Sequence, residues 1–301
     1  MTSPAPLPSH LRPSPRFRPL ITLGYWVALL VLFVAFYKIF SRSEGEDATR
    51  GAVAWTSAGW PFVVFALFGG FFVYFLVRGL RSQRLSNRAT NLLNSARYEE
   101  AARLFESAAR RSTGGQRAVA IYGLGMTELY RGAPERAAQL LEAVDRSRAL
   151  RHFGAIHRPI QDQIATCHAL LGRIDAARAS LQEAATRSKG EATSFSVLPE
   201  ALVACREGQP AKAVDVLTTR WREVESVGAS MTKFARLVRA FALNAVDPAG
   251  NRDAIRETLA GAKPIAPGEL QPLIASWPEM ETFLVDQRVI PSRASSTAAV
   301  G

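Results

Sequence analysis

Two short motifs are the parts of this sequence that come nearest to a catalytic pattern. Gly123 and Gly125 match the start of a dinucleotide-binding fingerprint, in which glycines let the backbone approach a pyrophosphate. The surrounding pattern is helical, no strand precedes it, and the third glycine is missing. We therefore interpret these two glycines as small residues at which helices pack closely.

The second motif is Ser-x-x-Lys, formed by Ser230 and Lys233, which in serine hydrolases sets a nucleophile beside a base. The companion motifs of those enzymes are missing, and so is their α/β context. We interpret Ser230 as the N-cap of a helix.

Histidine and cysteine are the remaining residue types that hold metals or act as nucleophiles. His152, His157 and the neighbours Cys167 and His168 do not match the spacing of a known metal site. Cys205 is the only other cysteine, so nothing resembles a disulfide framework, and a reducing compartment is the simpler interpretation. The sequence therefore predicts no catalytic residue, no cofactor and no metal site, and we expect a protein that is not an enzyme.

Two apolar runs near the N-terminus predict membrane-spanning helices. Residues 19–37 and 51–77 carry no charged side chain, and either run is long enough to cross the roughly 30 Å hydrocarbon core of a bilayer. The six prolines of residues 1–19 predict a disordered segment ahead of the first run. We place the spans at residues 20–40 and 54–78, with a short external loop at 41–53.

The distribution of arginine and lysine predicts the orientation of these spans. Three arginines precede the first span and four follow the second, whereas the loop holds only Arg42 and Arg50, with Lys38 at its border. The positive-inside rule then places both termini in the cytoplasm, at the inner membrane of a bacterium. A cleaved signal peptide is the alternative for the first run, although that run is long and lacks a small-residue cleavage site.

The four arginines after the second span recur at intervals of three and four residues. If that span continues as one helix, they cluster toward one side at the headgroup level, where anionic lipid favours each cation by about 1 kcal/mol. A role in topology alone is an equally good explanation. Ala66 and Gly70 lie four apart within the span, a spacing that fits contact between the two spans or homo-dimerisation. The predicted headgroup residues are Arg78, Arg81, Arg84 and Arg88.

A turn motif recurs four times from about residue 83 onward. Three copies have a glycine where a left-handed residue ends a helix, and Pro134 and Pro210 then fall in the first turn of the next helix. An alanine and large apolar residues follow each turn. The four alanines, spaced by 36, 40 and 36 residues, are Ala101, Ala137, Ala177 and Ala213. This period predicts helix–turn–helix units that stack into a solenoid.

The motif resembles the tetratricopeptide repeat, a family of 34-residue helical hairpins. Residues 98–101 with Leu104 and Phe105 give the best second helix, and Ile121, Leu124 and Gly125 the best first helix. Every interval exceeds 34 residues, and the early tryptophan and closing proline are missing, so a related helical-hairpin solenoid remains the alternative. We predict an all-α fold with two N-terminal transmembrane helices and a solenoid of four to five hairpins. Its parts are a repeat domain at 79–264, capping helices on the last repeat at 265–290, and a disordered tail at 291–301.

The resemblance implies a concave groove that is lined by the first helix of each hairpin and binds an extended peptide or another protein's helix. Tyrosine and arginine, which dominate interface energetics, occur at the corresponding positions. The groove residues carried over are Tyr122, Met126, Tyr130, Asp162, Thr166 and Arg206. The expected function is a membrane-tethered protein–protein interaction scaffold. The alternative is an accessory or assembly subunit of a membrane enzyme or transport complex, acting mainly through its spans.

The formal net charge of +11 bears on nucleic acid as a partner. A nucleic-acid surface usually combines a concentrated basic stripe with interleaved aromatic side chains. We take the excess of positive charge from residue 78 onward as spread along the domain, and we expect no nucleic-acid partner.

Overall fold

The computed structural model describes residues 51–147, 154–157, 159–190, 193–265 and 268–291. Every regular element in these ranges is a helix, which confirms the all-α prediction. The predicted disordered segment, the first span, residues 41–50 of the loop and the tail beyond residue 291 lie outside the described residues. The side chains of residues 51–68, which form most of the predicted second span, lie outside them as well.

The helices of the described residues follow in chain order, and only short turns and loops separate them. They are α1 (Gly51–Asn94), α2 (Tyr98–Arg111), α3 (Gly114–Tyr130), α4 (Pro134–Arg146), α5 (Gly154–His157), α6 (Ile160–Leu170), α7 (Ile174–Arg187), α8 (Val197–Arg206), α9 (Pro210–Thr219), α10 (Trp221–Val227), α11 (Ala229–Val246), α12 (Arg252–Ala260), α13 (Gln271–Ile274) and α14 (Pro278–Asp286).

The first helix does not stop at the predicted boundary between span and repeat domain. α1 continues unbroken through residues 78 and 79 into the first helix of the first hairpin, where it packs on α2. Among the described residues, no helix combines the length and the apolarity that crossing a membrane requires.

Five helical hairpins follow one another along the chain. Their two helices contact each other in α1/α2, α3/α4, α6/α7, α8/α9 and α11/α12, and each hairpin also contacts the next one. The four motif alanines are completely buried between these helices. Alanine has no side chain beyond Cβ, so it allows the two helix backbones of a hairpin to approach closely. The short helix α10 is an addition between the fourth and fifth hairpins that the repeat pattern did not predict.

The turns inside the first four hairpins share one hydrogen-bonding pattern. In the second hairpin the Ala133 N–H donates to Glu128 O over 2.9 Å, and the Gly132 N–H donates to Leu129 O over 3.1 Å. This is the Schellman arrangement, which requires a left-handed residue after the helix. The required residue is Gly132 (φ +82°), Gly172 (φ +72°), Gly208 (φ +71°) and, in the first hairpin, Ala96 (φ +56°). The predicted role of the three glycines is confirmed.

Candidate functional site: the inner face of the hairpins

The inner face of the hairpins is closed by contacts between distant parts of the chain. The ring of Tyr130 on α3 stacks on Tyr98 at a centroid distance of 6.1 Å. On its other side the same ring lies 5.6 Å from Phe234 of α11. Because these three residues belong to the first, second and fifth hairpins, the fifth hairpin returns to the beginning of the domain.

A C-terminal segment, residues 268–290, lies inside this enclosure. Pro272 and Leu273 of the segment line a cavity of about 10 Å³ together with side chains from α3, α6, α8 and α11. A cavity of this size holds a single water molecule at most. The sequence predicts that these residues cap the last repeat, but α13 also contacts α3 of the second hairpin. The segment therefore covers the apolar faces of the first helices of several hairpins, rather than one end of the domain.

Two cationic side chains bind the polar groups of the C-terminal segment. Arg206 donates through Nη2 to Ser276 O over 2.9 Å, and its guanidinium lies 5.2 Å from the centre of the Trp277 ring. Lys233 Nζ lies 2.7 Å from Glu269 Oε1, and the Glu269 side chain is only 7 % exposed. These bonds satisfy a carbonyl and a carboxylate that burial would otherwise leave without water.

The segment contributes a large share of the core. Its apolar side chains recur at helical spacing and are almost fully buried. They are Leu270, Leu273, Trp277, Met280, Phe283 and Leu284. At roughly 1.5–3 kcal/mol for each buried side chain, their transfer from water is comparable to the whole stability of a typical domain. The segment is therefore part of the folded unit, and its apolar spacing was the signal in the sequence that could have indicated this.

The predicted groove residues do come together on the inner face, yet they are covered. Tyr130 and Thr166 line the same small cavity, and the pKa of the Tyr122 hydroxyl is raised by burial and by the nearby Tyr130 and Asp162. Met126, Tyr130, Asp162 and Thr166 are buried, whereas Tyr122 and Arg206 are partly exposed. At the four buried positions the described residues therefore leave no open groove, and at Tyr130 and Thr166 the C-terminal segment and α11 line the remaining space.

Asp162 is the most perturbed acid of this interior. Its Oδ2 accepts a hydrogen bond of 2.5 Å from the Thr193 hydroxyl, but its Oδ1 and the side-chain amide of Gln163 have no hydrogen-bond partner in the described part of the chain. Burial is the main cause that raises the pKa of the Asp162 carboxyl to about 6, against the lowering effect of Thr193. The arrangement destabilises the ionised form of this carboxyl.

The cysteine and histidine candidates are also part of the packed interior. Burial raises the pKa of the Cys167 thiol and raises that of Cys205 to about 12. His168 Nε2 lies 3.5 Å from Glu142 Oε1, and this hydrogen bond is the largest cause of the lowered pKa of Glu142. His152 lies outside the described residues. Within the described ranges, no group of three or more His, Cys, Asp or Glu side chains is arranged to hold a metal ion.

The two catalytic-like motifs have packing roles. A Cβ at Gly123 would overlap the Phe105 ring, and one at Gly125 would lie 3.0 Å from Leu141 Cδ2, so both glycines permit close helix packing. α11 begins at Ala229 with Gly228 as its N-cap, so the predicted N-cap role of Ser230 is wrong. Lys233 is bound to Glu269 and to the Pro264 carbonyl.

The predicted lipid-headgroup residues lie on α1, away from this interior. Arg81, Arg84 and Arg88 are exposed, while the side chain of Arg78 lies outside the described residues. No protein-family model, no curated protein and no solved structure matches this chain.

Proposed function

We propose that this chain is a membrane-tethered scaffold: two N-terminal spans hold a tetratricopeptide-like solenoid at the cytoplasmic face of a bacterial inner membrane, where it binds a protein partner. One observation carries the tether. Phe72, Val73 and Tyr74 are consecutive residues of α1 and are 54–61 % exposed. Because consecutive helical residues point about 100° apart, these three cover more than half of the helix circumference. A helix with exposed apolar side chains on more than half of its circumference requires an apolar environment on more than one side.

The charge pattern of α1 supports the same proposal. Val77 and Leu80 are still 40 % and 47 % exposed, and the exposed Arg81, Arg84 and Arg88 follow at once. No acidic residue occurs between Asp47 and Glu99. A change from exposed apolar to exposed cationic side chains within one helix is the pattern expected where a span leaves the bilayer on its cytoplasmic side.

Scaffolding is favoured over catalysis because burial holds the two thiols of the interior in an unreactive form. A thiol with a pKa of about 12, as at Cys205, carries almost no thiolate near neutral pH. The closed interior also leaves no room for a substrate beside Asp162 or His168.

The position of the C-terminal segment decides where a partner binds. A peptide that competes for the inner face must overcome a segment of the same chain, whose effective concentration through a short linker is of millimolar order. We therefore propose that the partner contacts the outer surfaces of the hairpins and leaves the buried Tyr130 untouched.

Photo-crosslinking in living cells tests this proposal. A photoreactive phenylalanine analogue replaces Tyr130, where it is nearly isosteric, and in separate variants replaces the exposed Asn87, Gln182 or Arg256. We expect at least one exposed position to form an adduct with one particular protein, and Tyr130 to react only within its own chain. A partner adduct at Tyr130 would instead support the open groove that the sequence predicts. No protein adduct from any exposed position would contradict the scaffold and favour an accessory subunit that acts through its spans.

A further inference from the structure

We propose that the corner between α2 and α3, residues 108–117, docks onto the anionic lipid surface beside α1, so that the repeat domain lies against the bilayer in one fixed orientation. This inference rests on the proposed tether and names a second lipid contact, on helices other than α1. We call residues 108–117 the α2–α3 corner.

The α2–α3 corner lies beside the residues of α1 where apolar side chains give way to arginines. The Ser82 hydroxyl donates to Ala108 O over 3.4 Å. A Cβ at Gly79 would lie 3.6 Å from Gln116 Nε2. Because α1 is one continuous helix through these positions, a bilayer around its apolar part would meet the corner within about one helical turn.

The positive charge of the domain is concentrated in this region. Residues 78–117 contain nine arginines and three glutamates, whereas residues 118–301 contain 22 basic and 20 acidic side chains. Four of these nine arginines are those of α1, and three belong to the α2–α3 corner. Arg110 and Arg111 of the corner are exposed and Arg117 is partly buried, while the nearest acid along α2, Glu106, pairs with Arg110 at 2.7 Å.

The opposite ends of the hairpins have a different charge pattern. There, arginines pair with acids of the adjacent hairpin: Arg131 with Glu99 at 2.5 Å, and Arg173 with Glu135 at 2.7 Å. These pairs neutralise the distal turns and join neighbouring hairpins. Residues 108–117 contain three arginines and no acidic residue, so an anionic surface complements the corner better than it complements the distal turns.

An anionic lipid surface explains the corner better than a nucleic acid does. Single-stranded nucleic acid is bound by aromatic side chains set between the cations, and residues 108–117 contain no aromatic residue. Among the side chains of α1 that the structure describes, the exposed aromatic ones are Phe72 and Tyr74, which belong to its apolar part. Phosphate headgroups at that depth would complement the positive charge of Arg110, Arg111 and Arg117.

The test uses the full chain in nanodiscs of phosphatidylcholine alone or with added phosphatidylglycerol, each with a trace of a nickel-chelating lipid. A spin label is placed at Thr113→Cys in the corner or at Gln209→Cys in a distal turn; both positions are exposed. We expect phosphatidylglycerol to increase the collision of the Thr113 label with the lipid-borne nickel, and to leave the Gln209 label unchanged.

Substitution of the corner arginines makes the test specific. Each cation near an anionic surface favours binding about fivefold. The double variant Arg110→Gln/Arg111→Gln should therefore lower the ratio of docked to free corner about 30-fold and remove the effect of phosphatidylglycerol. The matched control, Arg97→Gln with Arg136→Gln, removes two exposed arginines from the distal turns and should behave as wild type.

Three results would overturn the proposal in different ways. Equal collision rates in both lipids, with the chain still inserted in the discs, would refute the proposed corner contact and leave the proposed tether unaffected. Failure of the chain to insert into the discs would refute both the tether and the corner contact. Binding of an RNA oligonucleotide that disappears in the Arg110→Gln/Arg111→Gln variant would make the corner a nucleic-acid site.

Discussion

The backbone of Ala96 has a φ of +56°, in the left-handed region where the three following hairpins have glycine. A Cβ in this region costs roughly 1–2 kcal/mol, which is partly offset because alanine loses less conformational entropy than glycine on folding. We expect Ala96→Gly to raise the free energy of unfolding by about 1 kcal/mol. The measurement is the urea midpoint of the detergent-solubilised full chain, followed by far-UV circular dichroism. Ala179→Gly, at an exposed position inside α7, should instead lower it by about 1 kcal/mol.

Asp162 gives the interior a dependence on pH. Its folded pKa of about 6 lies above the ordinary 3.8, so the folded state binds more protons than the unfolded state between these values. The free energy of unfolding therefore falls as the pH rises from about 4 to about 6. Above that window the ionised carboxylate costs up to about 3 kcal/mol. We expect Asp162→Asn to stabilise the protein near neutral pH by up to this amount, and by much less near pH 4.

The control for this prediction is Asp215→Asn, the same substitution at an exposed position of α9. It should change the unfolding free energy by less than about 0.5 kcal/mol at either pH. Equal stabilisation by Asp162→Asn at both pH values would contradict a buried carboxylate with a raised pKa.

At the scale of elements, the turn residues report on how the C-terminal segment is packed. Gly132 and Gly208 occupy equivalent turns with similar φ values of +82° and +71°. A Cβ at residue 132 would lie 2.6 Å from Gln271 Cβ and 3.0 Å from the Gln271 carbonyl carbon, whereas a Cβ at residue 208 would meet nothing within 4 Å. The two positions therefore share the conformational cost of an alanine, and only residue 132 adds a collision with α13.

We expect Gly208→Ala to lower the free energy of unfolding by about 1–2 kcal/mol, which is the cost of the left-handed conformation alone. Gly132→Ala should lower it by a further 1–3 kcal/mol, since the backbone of α13 cannot move aside without disturbing the packing of Leu273. Urea unfolding of the two variants side by side measures the difference. Equal losses would mean that α13 does not lie against this turn.

Local patterns in the sequence predicted the elements but not the closure of the inner face. The turn glycines and the buried alanines predicted the hairpins because each hairpin needs both residue types within a stretch of some 40 residues. The contact of Tyr130 with Phe234 joins residues more than 100 positions apart, and no periodicity reports such a pair. Positions on the concave side of an open array were therefore expected to meet solvent or a partner, and they meet the protein's own C-terminal segment.

The molecule as a whole combines a helix that is apolar on several sides with a closed helical domain. Because α1 belongs to both, the domain has no hinge at the point where the proposed span ends. The tether would then restrict the orientation of the domain relative to the span more than a flexible linker between span and domain would.

The most direct test of the tether is the accessibility of single cysteines in intact cells to a membrane-impermeant maleimide. Ser43→Cys reports on the predicted external loop, and Thr219→Cys on an exposed site of the repeat domain. The wild-type chain is the blank, since Cys167 is buried and the pKa of Cys205 is raised to about 12. We expect Ser43→Cys to react in intact cells and Thr219→Cys to react only after the membrane is permeabilised. Reaction of Thr219→Cys in intact cells, or recovery of the chain in the soluble fraction, would contradict a cytoplasmic domain held at the membrane by its N-terminal spans.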